Sequence, residues 1–261
     1  MSATLTVTVV GCSGSYPGPH SPASCYLLES TVNGETTRVV LDLGSGSLGH
    51  LQRYVDPFDI DAILVTHLHP DHFMDLTGLY VMRKYHPERS PGPTRLPVYA
   101  PKGMFKRLQL AYYGTAEMKQ GEQFDHRRVM DGAVIEIGSL RITPRQVEHP
   151  IEAYGYRFES PSGTVAFTGD TDTCPALTPL LENADIALAD RAFVTGRDEI
   201  RGIHLTPRRA AEAAIAAGGI KRLILTHIPP WNDPQACLRE AAELWPDVEV
   251  SHAGARYSLS S

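Results

Sequence analysis

The chain has 261 residues, of which 42% are hydrophobic, and this is enough to bury a full globular core. The formal net charge of -6 argues against a broad basic surface, so we expect a small substrate and not a long nucleic acid. The N-terminus lacks a basic and apolar leader and no segment has the length of a membrane span, which predicts a cytoplasmic protein without membrane contacts.

The first part of the chain predicts three strands. Residues 5–10 alternate in polarity and stop at Gly11-Cys12-Ser13-Gly14, which indicates a strand followed by a tight turn. Residues 26–29 and 38–41 predict the strands of a hairpin. Asp42 comes directly after the second of these strands, so we expect it at the same end of the sheet as the cluster that follows.

The most informative segment lies directly after the apolar run 62–65. It is Thr66-His67-Leu68-His69-Pro70-Asp71-His72, with three imidazoles and one carboxylate within seven residues. Neutral ring nitrogens and an anionic oxygen are the donors that zinc and similar divalent ions take. A solvated loop would instead use Ser, Asn, Gly and Lys. The segment therefore predicts a metal site.

The middle of the chain predicts one helix and an irregular connection. Apolar positions 76, 79, 80 and 82 indicate a helix over 73–85 that packs on the core. Prolines 87, 91, 93 and 97 then break regular structure. This Pro-rich loop, 87–97, is either a lid beside the metal site or a connection, and we favour a connection. Short strands and one helix follow from 97 to 146.

In the second half, potential ligands follow three apolar strands. Residues 164–168 lead to Asp170, residues 186–189 lead to Asp190, and residues 223–226 lead to His227. Since strands that alternate with helices present their ends at one edge of a sheet, we expect these side chains to meet there.

Two helices and a closing strand complete the chain. Thr206 as N-cap, Pro207 at the first position and a glycine stop predict a helix over 207–217, with His204 two residues before the cap. A last helix is expected over about 234–244, and a strand within 248–259.

The polar residues at the strand ends, in order, resemble the five motifs of the metallo-β-lactamase fold. They are Asp42, His67, His69, Asp71, His72, His149, Asp170 and His227. The resemblance implies an α/β protein with a four-layer αββα sandwich. It also implies a single domain over 1–261 with two related halves, about 1–150 and 151–261.

The resemblance further implies two divalent metal ions, zinc being favoured over manganese or iron. His67, His69 and His149 would hold one ion, Asp71, His72 and His227 the other, and Asp170 would bridge them. Asp42 would orient the cluster from behind. Two ions about 3.5–4 Å apart activate a shared hydroxide, so hydrolysis is the expected reaction. Taken singly, His149 or His227 would more often be an ordinary histidine, and only the complete set favours ligands. No such set of potential ligands accompanies the remaining histidines, which are His20, His50, His86, His126 and His252.

The segment 203–227 resembles ribonuclease Z and its phosphodiesterase relatives. In that family a histidine helps to protonate the leaving oxygen with support from a carboxylate, usually Glu. His204 and Asp190 take those places, and the expected catalytic residues are His204, Asp190 and Asp71. Without the family, His204 is equally well explained as a residue that caps the helix start.

Ribonuclease Z carries a long arm that grips transfer RNA between the motifs that match His149 and Asp170. Here these residues are 21 positions apart, so no such arm is expected. The segments 11–14, 21–24, 67–72 and 225–231 resemble instead the actinobacterial cyclic-nucleotide phosphodiesterases. The expected activity is hydrolysis of 3′,5′-cyclic nucleotides, cAMP above all, to 5′-nucleotides.

Other functions stay open. An armless RNA-processing nuclease and a thioesterase or lactonase are supported by the same fold, while a non-enzymatic binding module usually lacks ligands that are all present here. Trp231 or Tyr85 is a weak candidate to stack on the base, because an aromatic side chain more often belongs to the core. The resemblance also implies a homodimer.

Overall fold

The computed structural model describes residues 2–90, 92, 94–115 and 123–261. Their strands form two seven-stranded sheets. In spatial order the first sheet contains β14 (Arg256–Ser260), β1 (Ala3–Gly11), β2 (Cys25–Val32), β3 (Glu35–Leu41), β4 (Ala62–Leu64), β5 (Leu96–Ala100) and β6 (Phe124–Arg128). The second contains β13 (Glu249–Val250), β12 (Arg222–Thr226), β11 (Ile186–Asp190), β10 (Gly163–Phe167), β9 (Tyr154–Ser160), β8 (Leu140–Gln146) and β7 (Ile135–Ile137).

Helices cover the outer face of each sheet. They are α1 (Ser47–Leu51), α2 (Pro70–Phe73), α3 (Leu76–Tyr85), α4 (Met104–Tyr113), α5 (Leu177–Leu181), α6 (Pro207–Ala217) and α7 (Pro234–Ala242), with a 3₁₀ turn at Pro57–Asp59. Within the described ranges, no helix combines the length and the apolar character needed to cross a bilayer.

Three apolar clusters hold the layers together. One fills the space between the sheets and includes Leu28 of the first and Phe158 of the second. Another packs α1, α3 and α4 on the first sheet, and the third packs α5, α6 and α7 on the second. The layer order is therefore helix, sheet, sheet, helix, which confirms the predicted αββα sandwich.

Parallel pairing brings the polar strand ends together. Strands β3 to β6 are parallel, as are β10 to β13. Because parallel strands end at the same edge of a sheet, the residues that follow β3, β4, β10, β11 and β12 all lie along one edge of the sandwich. Strand alternation and buried apolar runs thus position the site.

Two predicted elements differ in the structure. The helix predicted over 73–85 is split, because Asp75 accepts a hydrogen bond from Leu48 N at 2.9 Å and its own N–H bonds Leu43 O at 3.1 Å. Helix α2 already begins at Pro70, a residue suited to the first helical position, and α3 begins at Leu76. Met82 is only partly buried.

The prediction of a single closing strand within 248–259 is wrong, because this segment forms two strands that belong to different sheets. The chain crosses from β13 to β14 at Gly254, whose N–H bonds Val9 O at 2.8 Å. The sequence predicts two halves that divide near residue 150. This residue lies in the connection between β8 and β9, which are neighbouring strands of the second sheet. Pro91 and Pro93 of the Pro-rich loop lie outside the described residues, so its role as a lid or a connection stays a prediction.

Candidate metal centre

Three histidines form the first group at the shared edge. His67 Nε2 lies 2.9 Å from His69 Nδ1, and His149 Nε2 lies 3.2 Å from the same atom. His67 is buried and the other two rings are half-buried. One nitrogen from each ring lies within 4.8 Å of the others, which is close enough to hold one ion.

Four buried residues form the second group, and they are Asp71, His72, Asp170 and His227. The central atom is Asp170 Oδ2. It lies 3.2 Å from His72 Nε2, 3.1 Å from His227 Nε2 and 3.6 Å from His67 Nε2 of the first group. Asp170 therefore lies between the two groups, at the position expected of a bridging ligand.

Buried atoms without partners show that the group fits a cation. In the described part of the chain, His72 Nε2, both ring nitrogens of His227 and Asp170 Oδ1 make no hydrogen bond of suitable geometry, although Asp170 Oδ2 lies close to both Nε2 atoms. A buried polar atom without a partner costs about 1–3 kcal/mol, so such a cluster needs another occupant. Imidazole and carboxylate donors at this separation suit divalent ions such as zinc, manganese or iron.

The protonation of the two groups differs. Burial, together with the neighbouring His72, lowers the pKa of His67 well below its usual value, and burial also lowers the pKa of His69 and His149. These three rings are therefore neutral, which is the form that binds metals.

In the second group the carboxylates dominate. Burial opposes a charge on His72, but Asp170, Asp71 and Asp42 outweigh it and raise the pKa of His72. Burial raises the pKa of Asp170, but His227 and His72 outweigh it and bring that pKa well below its usual value. The second group thus gathers negative charge, and a cation there would compete with the proton on His72.

Asp42 holds His72 from behind. Its carboxylate lies 2.6 Å from His72 Nδ1 and accepts hydrogen bonds from Ser24 Oγ at 2.9 Å and Thr66 N at 2.8 Å. Because Nδ1 faces Asp42, Nε2 is left to face the site, which is the usual arrangement of a metal-binding histidine. Thr66 bonds Asp42 Oδ2 through its hydroxyl at 3.0 Å and was missed from the sequence, although it opens the histidine segment.

Two site residues have left-handed backbone. Asp42 has φ 59° and His227 has φ 58°, a region that costs free energy for residues other than glycine. At His227, close packing against Gly14 accompanies this left-handed conformation. A Cβ on Gly14 would lie 2.5 Å from His227 O, so only glycine lets the loop after β1 approach so closely.

His204 and Asp190 form a pair beside the metal groups. His204 Nδ1 lies 2.9 Å from Asp190 Oδ2, and the His204 ring centroid lies 5.4 Å from His149 and 5.5 Å from His227. Burial disfavours the charged ring, but Asp190 outweighs it and raises the pKa of His204 to about 9. The shorter Asp side chain therefore still reaches the histidine, and a protonated His204 borders the site at neutral pH.

Asp172 is a second residue that the sequence did not suggest. It is 1% exposed and accepts hydrogen bonds from Arg201 Nε at 2.6 Å, Gly202 N at 2.8 Å and Arg209 Nη1. These bonds hold the loop before His204. The only signal in the sequence is its place in Gly169-Asp170-Thr171-Asp172, two residues after a predicted ligand.

The two aromatic candidates lie in different places. Trp231 is 58% exposed, four residues beyond His227, and its ring centroid is 5.1 Å from that of Tyr16. Tyr85 is 60% exposed at the last position of α3. Because ten helical residues span about 15 Å, Tyr85 lies far from the end of α3 that borders the metal groups.

The beta-lactamase superfamily domain matches residues 37–228, a range that contains all seven proposed metal ligands. The chain belongs to this superfamily.

Among its relatives is the uncharacterized protein ML1173 of Mycobacterium leprae, 42% identical over 99% of this chain and 90% of that protein. The probable metallo-hydrolase YhfI of Bacillus subtilis is 27% identical over 96% of this chain and 98% of its own. Ribonuclease Z of Methanopyrus kandleri is 25% identical over 97% of this chain and 98% of its own. A metal-dependent hydrolase is therefore the supported class.

Solved structures agree on the fold. Bacillus subtilis YhfI superposes with a TM-score of 0.86 at 25% identity over 98% of this chain and 99% of that one. The short form of human tRNase Z superposes with a TM-score of 0.75 at 19% identity, over 97% of this chain and 98% of that one. Unliganded yeast PDE1 superposes with a TM-score of 0.72 at 14% identity, over 98% of this chain and 99% of that one. The two more distant structures are similar in fold alone.

Proposed function

We propose that the protein is a metal-dependent phosphodiesterase that hydrolyses 3′,5′-cyclic nucleotides, with cAMP favoured, to 5′-nucleotides. The observation that carries the proposal is the position of the His204 and Asp190 pair beside two groups of potential metal ligands. A proton donor next to a dinuclear site is what cleavage of a phosphodiester with an alkoxide leaving group requires. Preference for cyclic nucleotides rests on the sequence resemblance.

Seven side chains would hold the ions. They are His67, His69 and His149 on one side, Asp71, His72 and His227 on the other, and Asp170 between them. Two divalent ions, zinc being favoured over manganese or iron, would supply Lewis acidity toward phosphoryl oxygens and lower the pKa of a bound water.

Side chains of the protein would carry out the proton transfer. His204 is charged at neutral pH and would donate its Nε2 proton to the departing 3′ oxygen, while Asp190 stabilises the charged ring and fixes its orientation. Asp71 is proposed both as an ion ligand and as a catalytic carboxylate. Burial raises its pKa, but His72 and His227 outweigh burial, lower the pKa and keep the group anionic.

The backbone between His149 and Asp170 supports a small substrate. Strands β9 and β10 form a tight hairpin in which Ser160 pairs with Gly163. The hairpin leaves no inserted arm of the kind that grips transfer RNA, and the net charge of -6 offers no substitute for it. A homodimer and a cytoplasmic location remain part of the proposal.

The test is product analysis on purified protein together with metal quantification. The substrates are cAMP, bis(p-nitrophenyl) phosphate, a structured RNA and a thioester under the same conditions. We expect conversion of cAMP to 5′-AMP and about two metal ions per chain. Faster cleavage of the RNA would favour the nuclease, and turnover of the thioester alone would favour a thioesterase or lactonase.

A further inference from the structure

Two exposed aromatic side chains form a shelf beside His227. Tyr16 and Trp231 are 42% and 58% exposed, and their ring centroids are 5.1 Å apart at an interplanar angle of 38°. They come from two loops that are joined by a hydrogen bond from Ile228 N to Cys12 O of 3.1 Å. Both loops lead directly into the metal centre, since Gly14 packs on His227 and Ile228 follows it.

A cavity of about 280 Å³ adjoins this pair, and residues of the same two loops and of the segment 251–253 line it. Pro230 and Asn232, on either side of Trp231 in the sequence, belong to the lining, while the rings of Tyr16 and Trp231 lie outside it. Its lining is mostly apolar with a few polar groups, and it includes Pro19, Ser21, Ile228, Pro230, Ser251 and His252. The rings of His20 and His252 border it on the solvent side and make no hydrogen bond within the described ranges of the chain. An apolar pocket with a few free donors and acceptors is typical of a site for a small organic group.

We propose that this aromatic shelf and its cavity bind the nucleobase of the cyclic nucleotide. The inference rests on the proposed function and adds the part of the substrate that the metal centre does not hold. A nucleobase is planar and stacks on Tyr or Trp rings, and its edge carries the donors and acceptors that His20 and His252 complement. Ile228 lines the cavity and directly follows His227 in the chain, so we expect a base there to be within reach of a phosphate at the metal groups.

The size of the surface favours a base over a second copy of the chain. A pair of aromatic rings next to a cavity of about 280 Å³ offers room for one heterocycle, whereas a stable protein interface buries about 800 Å² on each partner. The histidines beside the cavity are polar groups suited to the edge of a base.

Fluorescence tests binding without relying on activity. The chain has two tryptophans, so Trp245→Phe leaves Trp231 as the single tryptophan, whose emission is excited selectively at the red edge of the absorption band, away from the tyrosines. Titration with 5′-AMP is expected to quench Trp231, whereas ribose 5-phosphate, which has no base, is expected to leave the signal unchanged. Equal effects of the two probes, or no quenching by 5′-AMP up to millimolar concentration, would overturn the proposal.

Kinetics test the contribution of the shelf. Trp231→Ala and Tyr16→Ala are each expected to raise KM for cAMP about tenfold with little change in kcat, the loss expected when stacking of one base is removed. The base-free methyl riboside 3′,5′-cyclic phosphate should be hydrolysed equally by the variants and the parent. Tyr85→Ala, an equally exposed aromatic on the far end of α3, is the matched control and should behave as the parent.

The outcomes separate the two proposals. If the parent hydrolyses neither cyclic phosphate but 5′-AMP still quenches Trp231, the proposed function fails and the base site stands. If Trp231→Ala slows both substrates alike, or converts a dimer to a monomer in size-exclusion chromatography, the shelf is a structural or subunit contact and the base site is wrong.

Discussion

Asp190 holds His204 by a contact of 2.9 Å between its Oδ2 and the ring Nδ1, across 14 residues of sequence. The same carboxylate accepts hydrogen bonds from Thr171 N at 3.1 Å and from Ala192 N at 3.1 Å, so it is fixed in turn. Because Nδ1 faces Asp190, the remaining nitrogen of the ring is the one that can serve the site.

His204→Ala should lower turnover and leave the metals in place. Loss of a general acid typically costs about 10²–10⁴-fold in rate. His204 is not one of the seven proposed ligands, although its ring lies close enough to Asp170, Asp190 and His227 to form a third possible cation group, so metal content has to be measured. The measurement is kcat for cAMP together with metal content by mass spectrometry. His86→Ala, at the far end of α3, is the control. Loss of a metal ion from the His204 variant would make this residue a ligand instead of a proton donor.

Asp42→Ala should have a larger effect on metal affinity than on the stability of the fold. The substitution leaves His72 Nδ1, Thr66 N and Ser24 Oγ without their shared acceptor, so the ring of His72 is no longer held. Loss of such an orienting carboxylate typically costs about 10–100-fold in metal affinity. Competition with a chelator measures the affinity, and Asp125→Ala on the surface serves as the control. Unchanged affinity would assign Asp42 to stability alone.

Much of the site could be predicted because it depends on local patterns. Apolar strands that end in His or Asp place these residues at a sheet edge whatever the details of packing, and the ends of β4, β10 and β12 are found there. The N-cap of α6 could also be predicted, since Thr206 Oγ1 accepts the N–H of Arg209 as the local sequence suggests.

The remainder depends on contacts between distant segments. The end of the chain contributes to both sheets because Val9 and Gly254 meet, and no alternation of residues in 248–259 reports that crossing. The break before α3 arises in the same way, from the bond of Asp75 to Leu48. The partners of Asp172 are Arg201 and Arg209, 29 and 37 residues away, so its role is invisible to sequence spacing.

Asp172→Ala should reduce kcat by disordering the loop before His204. Ile203 O accepts a hydrogen bond from His149 Nδ1 at 2.9 Å. The hydrogen bonds that Asp172 accepts from Gly202 N and Arg201 hold the backbone just before Ile203 and His204. We expect a drop of about tenfold or more in kcat with little change in KM, as for a residue that positions a proton donor.

A conservative variant separates positioning from folding for Asp172. Asp172→Glu keeps the charge toward Arg201 and Arg209 and should recover part of the rate, whereas Asp172→Asn should recover less. Thermal melting and metal content accompany the kinetics. A fall in rate that follows the melting temperature across all three variants would mean that Asp172 acts on stability only.

Asp185 should make stability depend on pH in the acid range. Burial raises its pKa, but hydrogen bonds from Lys221 at 2.6 Å and Thr164 N at 2.7 Å outweigh burial and bring the pKa below 3.8. A lowered pKa in the folded state means that the ionised group stabilises the fold above the unfolded value, and this contribution is lost as pH falls through the folded value. Since Lys221 is 74% exposed, we expect only about 1 kcal/mol. Urea unfolding should show Asp185→Asn less stable than the parent near neutral pH. The difference should shrink as pH falls below 3.8 and vanish below the lowered pKa of the folded state, and Lys221→Met should show the same trend. A difference that persists unchanged in acid would rule out ionisation of Asp185 as its cause.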